Sequence, residues 1–157
     1  MAVPHEMRLI ENRQRVVRVR VGPLEEFLQN IRREIGLGAE CVAVRLIGDA
    51  EMARLNETYR KKKGPTDVLS FPVAAESAKP GTLMQQVRRT RGEFLGDIAI
   101  SPTVARRNAK ALGRRLPEEL KVLILHGVLH LLGYDHETDR GEMERIEMRL
   151  RRKLGIA

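Results

Sequence analysis

Three of the four histidines of the chain fall within eleven residues, in the run His126-Gly-Val-Leu-His130-Leu-Leu-Gly133-Tyr-Asp-His136. Neutral imidazole is a proton carrier and a good ligand for borderline divalent metals. On a helix, His126 and His130 project from one face about a turn apart, because residues four apart are neighbours there. Val122, Leu123, Ile124, Leu125, Val128, Leu129, Leu131 and Leu132 cover almost all the rest of that helix. A helix apolar all round is a buried one, and an imidazole buried without partners for its nitrogens is costly. Gly133 lets the chain leave the helix through a left-handed residue and turn back, so that His136 can offer a third nitrogen to the same point. A lone buried histidine needs only a hydrogen bond; the paired spacing, the glycine turn and the third imidazole together favour a metal. The expected ligands are His126, His130 and His136, with one zinc per chain and the fourth position left to water, as a catalytic site requires. Three imidazoles also suit nickel and copper.

Helical zinc peptidases carry a glutamate directly after the first histidine as general base. Here that position is Gly127, which weakens a peptidase reading, although Glu93, Asp97, Asp135 or Glu137 could serve as a carboxylate from elsewhere. The run as it stands, H-G-x-L-H-L-L-G-Y-D-H, resembles the signature of the YbeY family of bacterial metal-dependent endoribonucleases involved in rRNA maturation. Two further stretches resemble the same family: Tyr59-Arg60 followed by Pro65-Thr66-Asp67-Val68-Leu69-Ser70-Phe71-Pro72, and Leu95-Gly96-Asp97-Ile98. The resemblance runs from about Leu46 onward. It implies a single-strand-specific endoribonuclease acting at the 3′ end of 16S rRNA and in ribosome quality control. It further implies small-subunit ribosomal proteins or an assembly GTPase as partners, and Arg60 as the catalytically important cation. The chemistry is apt, since a guanidinium stays charged and its planar fork can hold a phosphate by two hydrogen bonds. Arg60 and His126 are accordingly the candidate catalytic residues. No residue stands out as general base. Lys61, Lys62 and Lys63 read either as a solvated loop or as phosphate contacts. Asp97 reads either as a carboxylate that orients an imidazole or as the end of a turn.

Composition sets the frame. The chain has 157 residues, 42% of them hydrophobic, and a formal net charge of +8. That length suits one domain spanning residues 1–157, and the charge points to a polyanionic partner. With three Phe, two Tyr and no Trp, recognition through rows of stacked bases is disfavoured and contact through phosphates is expected. The run Met1 to Arg8 lacks the apolar core of a signal peptide and no segment has the length of a membrane span. The single cysteine, Cys41, excludes an intrachain disulfide and sits in an apolar run. A cytoplasmic protein is expected, binding neither membrane nor DNA.

The elements that must position these residues are legible in part. Val16 to Val21 alternates at period two and predicts a strand. Gly22-Pro23 opens a helix with Leu24, Phe27, Leu28, Ile31 and Ile35 inward, ended by Gly36. Val42–Ile47 predicts a second strand, and Asp49 a cap for a helix with Met52, Leu55 and Tyr59 on one side. Gly64-Pro65 is a turn before a strand over Val68–Val73. Residues 74–92 read as a flexible basic connection, and Phe94–Ser101 as a strand. Ser101-Pro102 starts a helix, Leu116-Pro117-Glu118-Glu119 starts the histidine helix, and Asp139 caps a last one with Met143, Ile146, Leu150 and Leu154 inward. The expected fold is α+β: a small mixed four-stranded sheet with about five helices, one of them central, buried and metal-binding. Two rival functions stand beside the nuclease: a zincin-like metallopeptidase, and a non-catalytic assembly factor braced by zinc. The second would want a fourth protein ligand; His5 is remote, Cys41 looks buried, and Asp135 is the best remaining candidate.

Overall fold

The computed structural model describes residues 9–73 and 79–156; His5 and the start of the basic connection lie outside them. The element order is β1 (Ile10–Asn12), α1 (Val21–Ile35), β2 (Val42–Leu46), α2 (Asp49–Arg60), β3 (Val68–Pro72), α3 (Leu83–Thr90), β4 (Gly96–Ile100), α4 (Pro102–Leu112), α5 (Leu116–Leu131) and α6 (Glu142–Leu154). The four strands form one sheet in the order β1-β2-β4-β3. β1, β2 and β4 run parallel, with Val44 opposite Ile98 and Leu46 opposite Ile100, whereas β3 is an antiparallel edge strand on β4. The expected α+β fold with a small mixed sheet is therefore what forms.

The histidine helix α5 lies across this sheet, packed on β3, β4, α1 and α4. Leu120, Ile124, Leu125, Val128 and Leu129 are essentially solvent-free and share one core with Val42, Val44, Leu46, Ile98 and Ile100. Each such side chain contributes on the order of 1.5–3 kcal/mol relative to exposure. The approach is closest at Gly127. A β-carbon there would sit 2.7 Å from Ile98 Cδ1 and 2.9 Å from its Cγ2, so only glycine lets the helix seat at this height. Ser70 Oγ on β3 donates to the Gly127 carbonyl at 3.3 Å, pinning the same point from the sheet edge.

Several sequence expectations need correction. The alternating segment 16–21 is not a strand: Val16 is exposed, and α1 already begins at Val21. Gln14 takes the place of a strand partner, donating from Nε2 to the Val17 carbonyl (2.8 Å) and accepting from the Val17 N–H (2.9 Å). The first strand lies upstream and is only three residues long, too short for its periodicity to register. The basic connection contains α3, the helix that raises the number among the described residues to six. It opens with a capping box, Thr82 Oγ1 accepting from the Gln85 N–H and the Gln85 side chain accepting from the Thr82 N–H, a signal written in the sequence as T-x-x-Q. Asp49 does not cap α2, whose cap is Gly48; its carboxylate accepts from Ser101 Oγ at 3.0 Å. Tyr59, expected on the same side of α2 as Met52 and Leu55, stands 64% exposed at the end of that side. Asp139 performs its capping two residues early, its two oxygens accepting from the Gly141 and Met143 N–H groups. Those bonds hold the Asp139 carboxyl below its ordinary range.

Candidate metal centre and its cleft

α5 ends in a turn that makes the site. The Tyr134 N–H bonds the Leu129 carbonyl (3.1 Å) and the Gly133 N–H bonds the His130 carbonyl (2.9 Å). This is the pairing of a Schellman closure, with Gly133 at φ +104° in the left-handed position. The chain returns over its own helix, and His136 arrives beside His126 and His130. One nitrogen from each ring lies within 4.8 Å of the others, and His126 Nε2 and His130 Nε2 are 3.1 Å apart. Two nitrogens bound tetrahedrally to one zinc would be separated by about 3.3 Å, given bond lengths near 2.0–2.1 Å. The donor set fits a divalent cation of that size.

The surroundings favour a neutral, metal-ready imidazole at His130. Burial, and then the neighbouring His126 and His136, push the His130 pKa down to about 4. On the far side of His126, Nδ1 lies 2.9 Å from Glu147 Oε1 on α6. A carboxylate can only accept, so Nδ1 carries a proton, and in the neutral form of the ring it is Nε2 that is bare, 3.1 Å from His130 Nε2. Glu147 is itself held by Arg151, its i+4 neighbour, at 3.1 Å. Burial alone would raise the Glu147 carboxyl; the His126 hydrogen bond and the charges of His126 and Arg151 outweigh it, and the net effect is a lowering. Carboxylate–imidazole pairs of this kind orient metal ligands and raise their basicity.

Sequence reading looked for this partner at Asp97, which is neither an imidazole orienter nor the end of a turn. Asp97 lies within β4 and pairs with Arg45 of β2 at 3.8 Å. The signal for Glu147 was present nonetheless. Met143, Leu150 and Leu154 face inward along α6, and Glu147 is the one charged residue in that 143-147-150-154 row. Asp135, the best candidate for a fourth ligand, turns its carboxylate onto the Glu137 N–H at 2.9 Å. Among the described residues, the metal-competent cluster consists of the three histidines alone. Cys41 is buried beside the sheet, and burial pushes its thiol pKa up, as an inert core residue requires.

The histidines open onto a cleft of about 770 Å³ walled by all five residues of β3, by Tyr59, Arg60, Lys62 and Thr66, and by Glu137, Glu147 and Arg151. Arg60, the last residue of α2, brings its guanidinium into the cleft and meets Glu137 at 3.4 Å. The next residue, Lys61, adopts a left-handed conformation (φ +55°), which turns the chain sharply away after Arg60. Arg60 thus faces the histidine cluster from 66 residues upstream of His126 in the sequence. No helix among the described residues is long and apolar enough to cross a membrane.

A three-histidine cluster on a buried helix and the turn after it, with a guanidinium across an open cleft, is a site that could hold a metal ion beside an anionic substrate. Comparison with known proteins narrows it. A family model described as Endoribonuclease YbeY matches residues 9–155. The chain is 44% identical over 133 residues to Endoribonuclease YbeY of Solibacter usitatus, covering 85% of this chain and 78% of that protein. It is 41% identical over 128 residues to Endoribonuclease YbeY of Aquifex aeolicus, covering 82% and 77%. Among solved structures, the solution structure of TM1509 from Thermotoga maritima superposes with a TM-score of 0.55 at 28% identity, over 85% of this chain and 80% of that one. The chain belongs to the YbeY endoribonuclease family.

Proposed function

We propose that this family member is a zinc-dependent endoribonuclease that cuts single-stranded RNA in rRNA maturation, with His126, His130 and His136 as the metal ligands and Arg60 as the cation on the reacting phosphate. The observation that carries this reading is the convergence of three imidazoles and one guanidinium on a single cleft in a chain of net charge +8. When bound, the metal supplies Lewis acidity toward water and toward a phosphoryl oxygen. The protein's own groups do the rest. Glu147 holds His126 in the tautomer that leaves Nε2 free. Arg60 can fork onto two phosphoryl oxygens and offset the charge that grows on them, once the phosphate displaces Glu137 from its present contact at 3.4 Å. The contact is weak enough for that exchange, being long and half-exposed at both ends. Ribosomal small-subunit proteins or an assembly GTPase would bring the enzyme to its RNA.

The peptidase reading loses further ground at Gly127. Its missing glutamate is no simple omission, since the position is pressed against Ile98. The deciding experiment uses metal-stripped and zinc-restored protein on a single-stranded RNA. Zinc should restore cleavage. Arg60→Ala should lower the single-turnover rate at saturating RNA by about tenfold to a thousandfold with metal content unchanged. Arg60→Lys should recover only part of the rate, because an ammonium cannot reproduce the fork. Equal cleavage by the stripped protein, or an effect of Arg60→Ala on affinity alone, would overturn these assignments.

A further inference from the structure

Of the two Tyr and Phe rings that line the cleft, Tyr59 is the one that stands largely in solvent, with 64% of its surface exposed. Exposing so much of a large ring forgoes the burial that usually fixes aromatic side chains. The ring is nevertheless held in place. It packs against Phe71 of β3, centroids 4.8 Å apart and planes inclined at 70°, an edge-to-face arrangement of the kind that steadies aromatic pairs. Phe71 is half-buried and lines the same cleft. A steadied, exposed ring beside a candidate metal centre is a surface waiting for a flat partner.

Resting on the endoribonuclease reading above, we propose that Tyr59 is a stacking platform for one unpaired nucleobase of the RNA substrate, the base adjoining the phosphate that Arg60 engages. The juxtaposition carries this. Tyr59 and Arg60 are consecutive residues in the last turn of α2, and a base and its phosphate are likewise joined through a single sugar. Neighbouring side chains can therefore take the two ends of one nucleotide. Every base offers a π-face, so such a platform tolerates any sequence. It also discriminates between strands, because a base in a duplex is already stacked on both sides and cannot be laid on Tyr59 without being unpaired. A single ring supplies this where the small aromatic content of the chain excludes a row of them.

The test is a cycle between the protein and the RNA. Zinc-loaded wild type, Tyr59→Ala, Tyr59→Leu and Tyr59→Phe are each titrated with a short unstructured oligoribonucleotide and with a set of strands carrying one abasic position each. Binding is read by fluorescence anisotropy and cleavage is read separately. Tyr59→Ala should weaken binding of the intact strand by about fivefold to a hundredfold, the range that loss of one base–aromatic stack implies. At one position next to the cut, the abasic strand should cost the wild type that same factor and cost Tyr59→Ala nothing more. Tyr59→Phe should behave as wild type. Tyr59→Leu keeps bulk without a π-face, so it should behave as Tyr59→Ala, and it carries the test if the alanine variant does not fold. Affinity for a duplex of the same sequence should not change. An abasic penalty that persists undiminished in Tyr59→Leu would overturn the platform. Wild-type protein that shows the coupling yet cuts no RNA would instead overturn the nuclease reading.

Discussion

Removing Glu147 should cost metal affinity without touching a single candidate ligand. The carboxylate lies 2.9 Å from His126 Nδ1 and 3.1 Å from Arg151, and the two acid–base partners on α6 are only 12% and 11% exposed. Loss of a carboxylate that orients a ligating imidazole typically weakens metal binding by about 10–100-fold, or about 1.4–2.7 kcal/mol. Two effects add here. Without an acceptor at Nδ1, His126 samples the tautomer whose proton sits on Nε2, where the metal should be. Without the negative charge, Arg151 is left as an uncompensated cation close to a divalent one, which pushes Glu147→Ala toward the upper end of the range. Glu147→Gln separates the two. Its carbonyl oxygen can still accept from Nδ1–H and keep the tautomer, so it should lose about tenfold and Glu147→Ala nearer a hundredfold. Zinc affinity is measured by competition with a chromophoric chelator near neutral pH, well below the unfolding temperature of each variant. If Glu147→Ala binds zinc as tightly as wild type, the carboxylate does not govern the site and the tautomer argument fails.

Three other outcomes follow from the same geometry. Gly127→Ala should destabilise the fold by about 1–3 kcal/mol through overpacking on Ile98, a cost that outweighs the roughly 1 kcal/mol by which alanine favours a helix; chemical denaturation checks it, and a stabilised variant would mean that α5 can ride higher on the sheet. The metal-stripped protein should lose about 2 kcal/mol of stability between pH 7 and pH 5, because the His130 pKa falls from 6.5 to about 4 on folding and the unfolded chain then binds the extra proton. This stability is full above the unfolded value and declines as pH drops toward the folded one, and His130→Asn should flatten the decline. Replacing Lys61, Lys62 or Lys63 by Ala should weaken RNA binding modestly and reduce its salt dependence by roughly one unit of slope per lost phosphate contact, leaving cleavage at saturation unchanged.

What sequence reveals here depends on how local the cause is. The three histidines lie on one helix and the turn after it, so spacing and one glycine suffice to bring them together. Glu147 belongs to another helix. Its inward direction competes with the strongly charged composition of α6, and only its place in an apolar row betrays it. The family resemblance singled out Arg60, whereas the chain alone offers four consecutive cations with nothing to rank them. The first strand escaped because three residues carry no period, and Val17 and Val19 mimicked a strand, whereas the Val17 N–H and C=O are in fact satisfied by the Gln14 side chain. Helical periodicity put Tyr59 on one side of α2 with Met52 and Leu55, but it reports the face of a helix and not where that face outruns its neighbours, so the exposure of Tyr59 was not legible.

The position of β3 at the edge of the sheet carries a liability of another kind. All five of its residues wall the cleft, and among the described residues no strand pairs with its outward side. An uncovered edge is a template for pairing with another molecule's strand. The chain guards it by brevity, by ending the strand at Pro72, and by setting Lys61, Lys62 and Lys63 a few residues before it, where like charge repels a second copy. That guard is electrostatic and therefore screened, with a Debye length that shrinks to about 3 Å in molar salt. Self-association should rise with ionic strength, through the edge that walls the proposed RNA cleft.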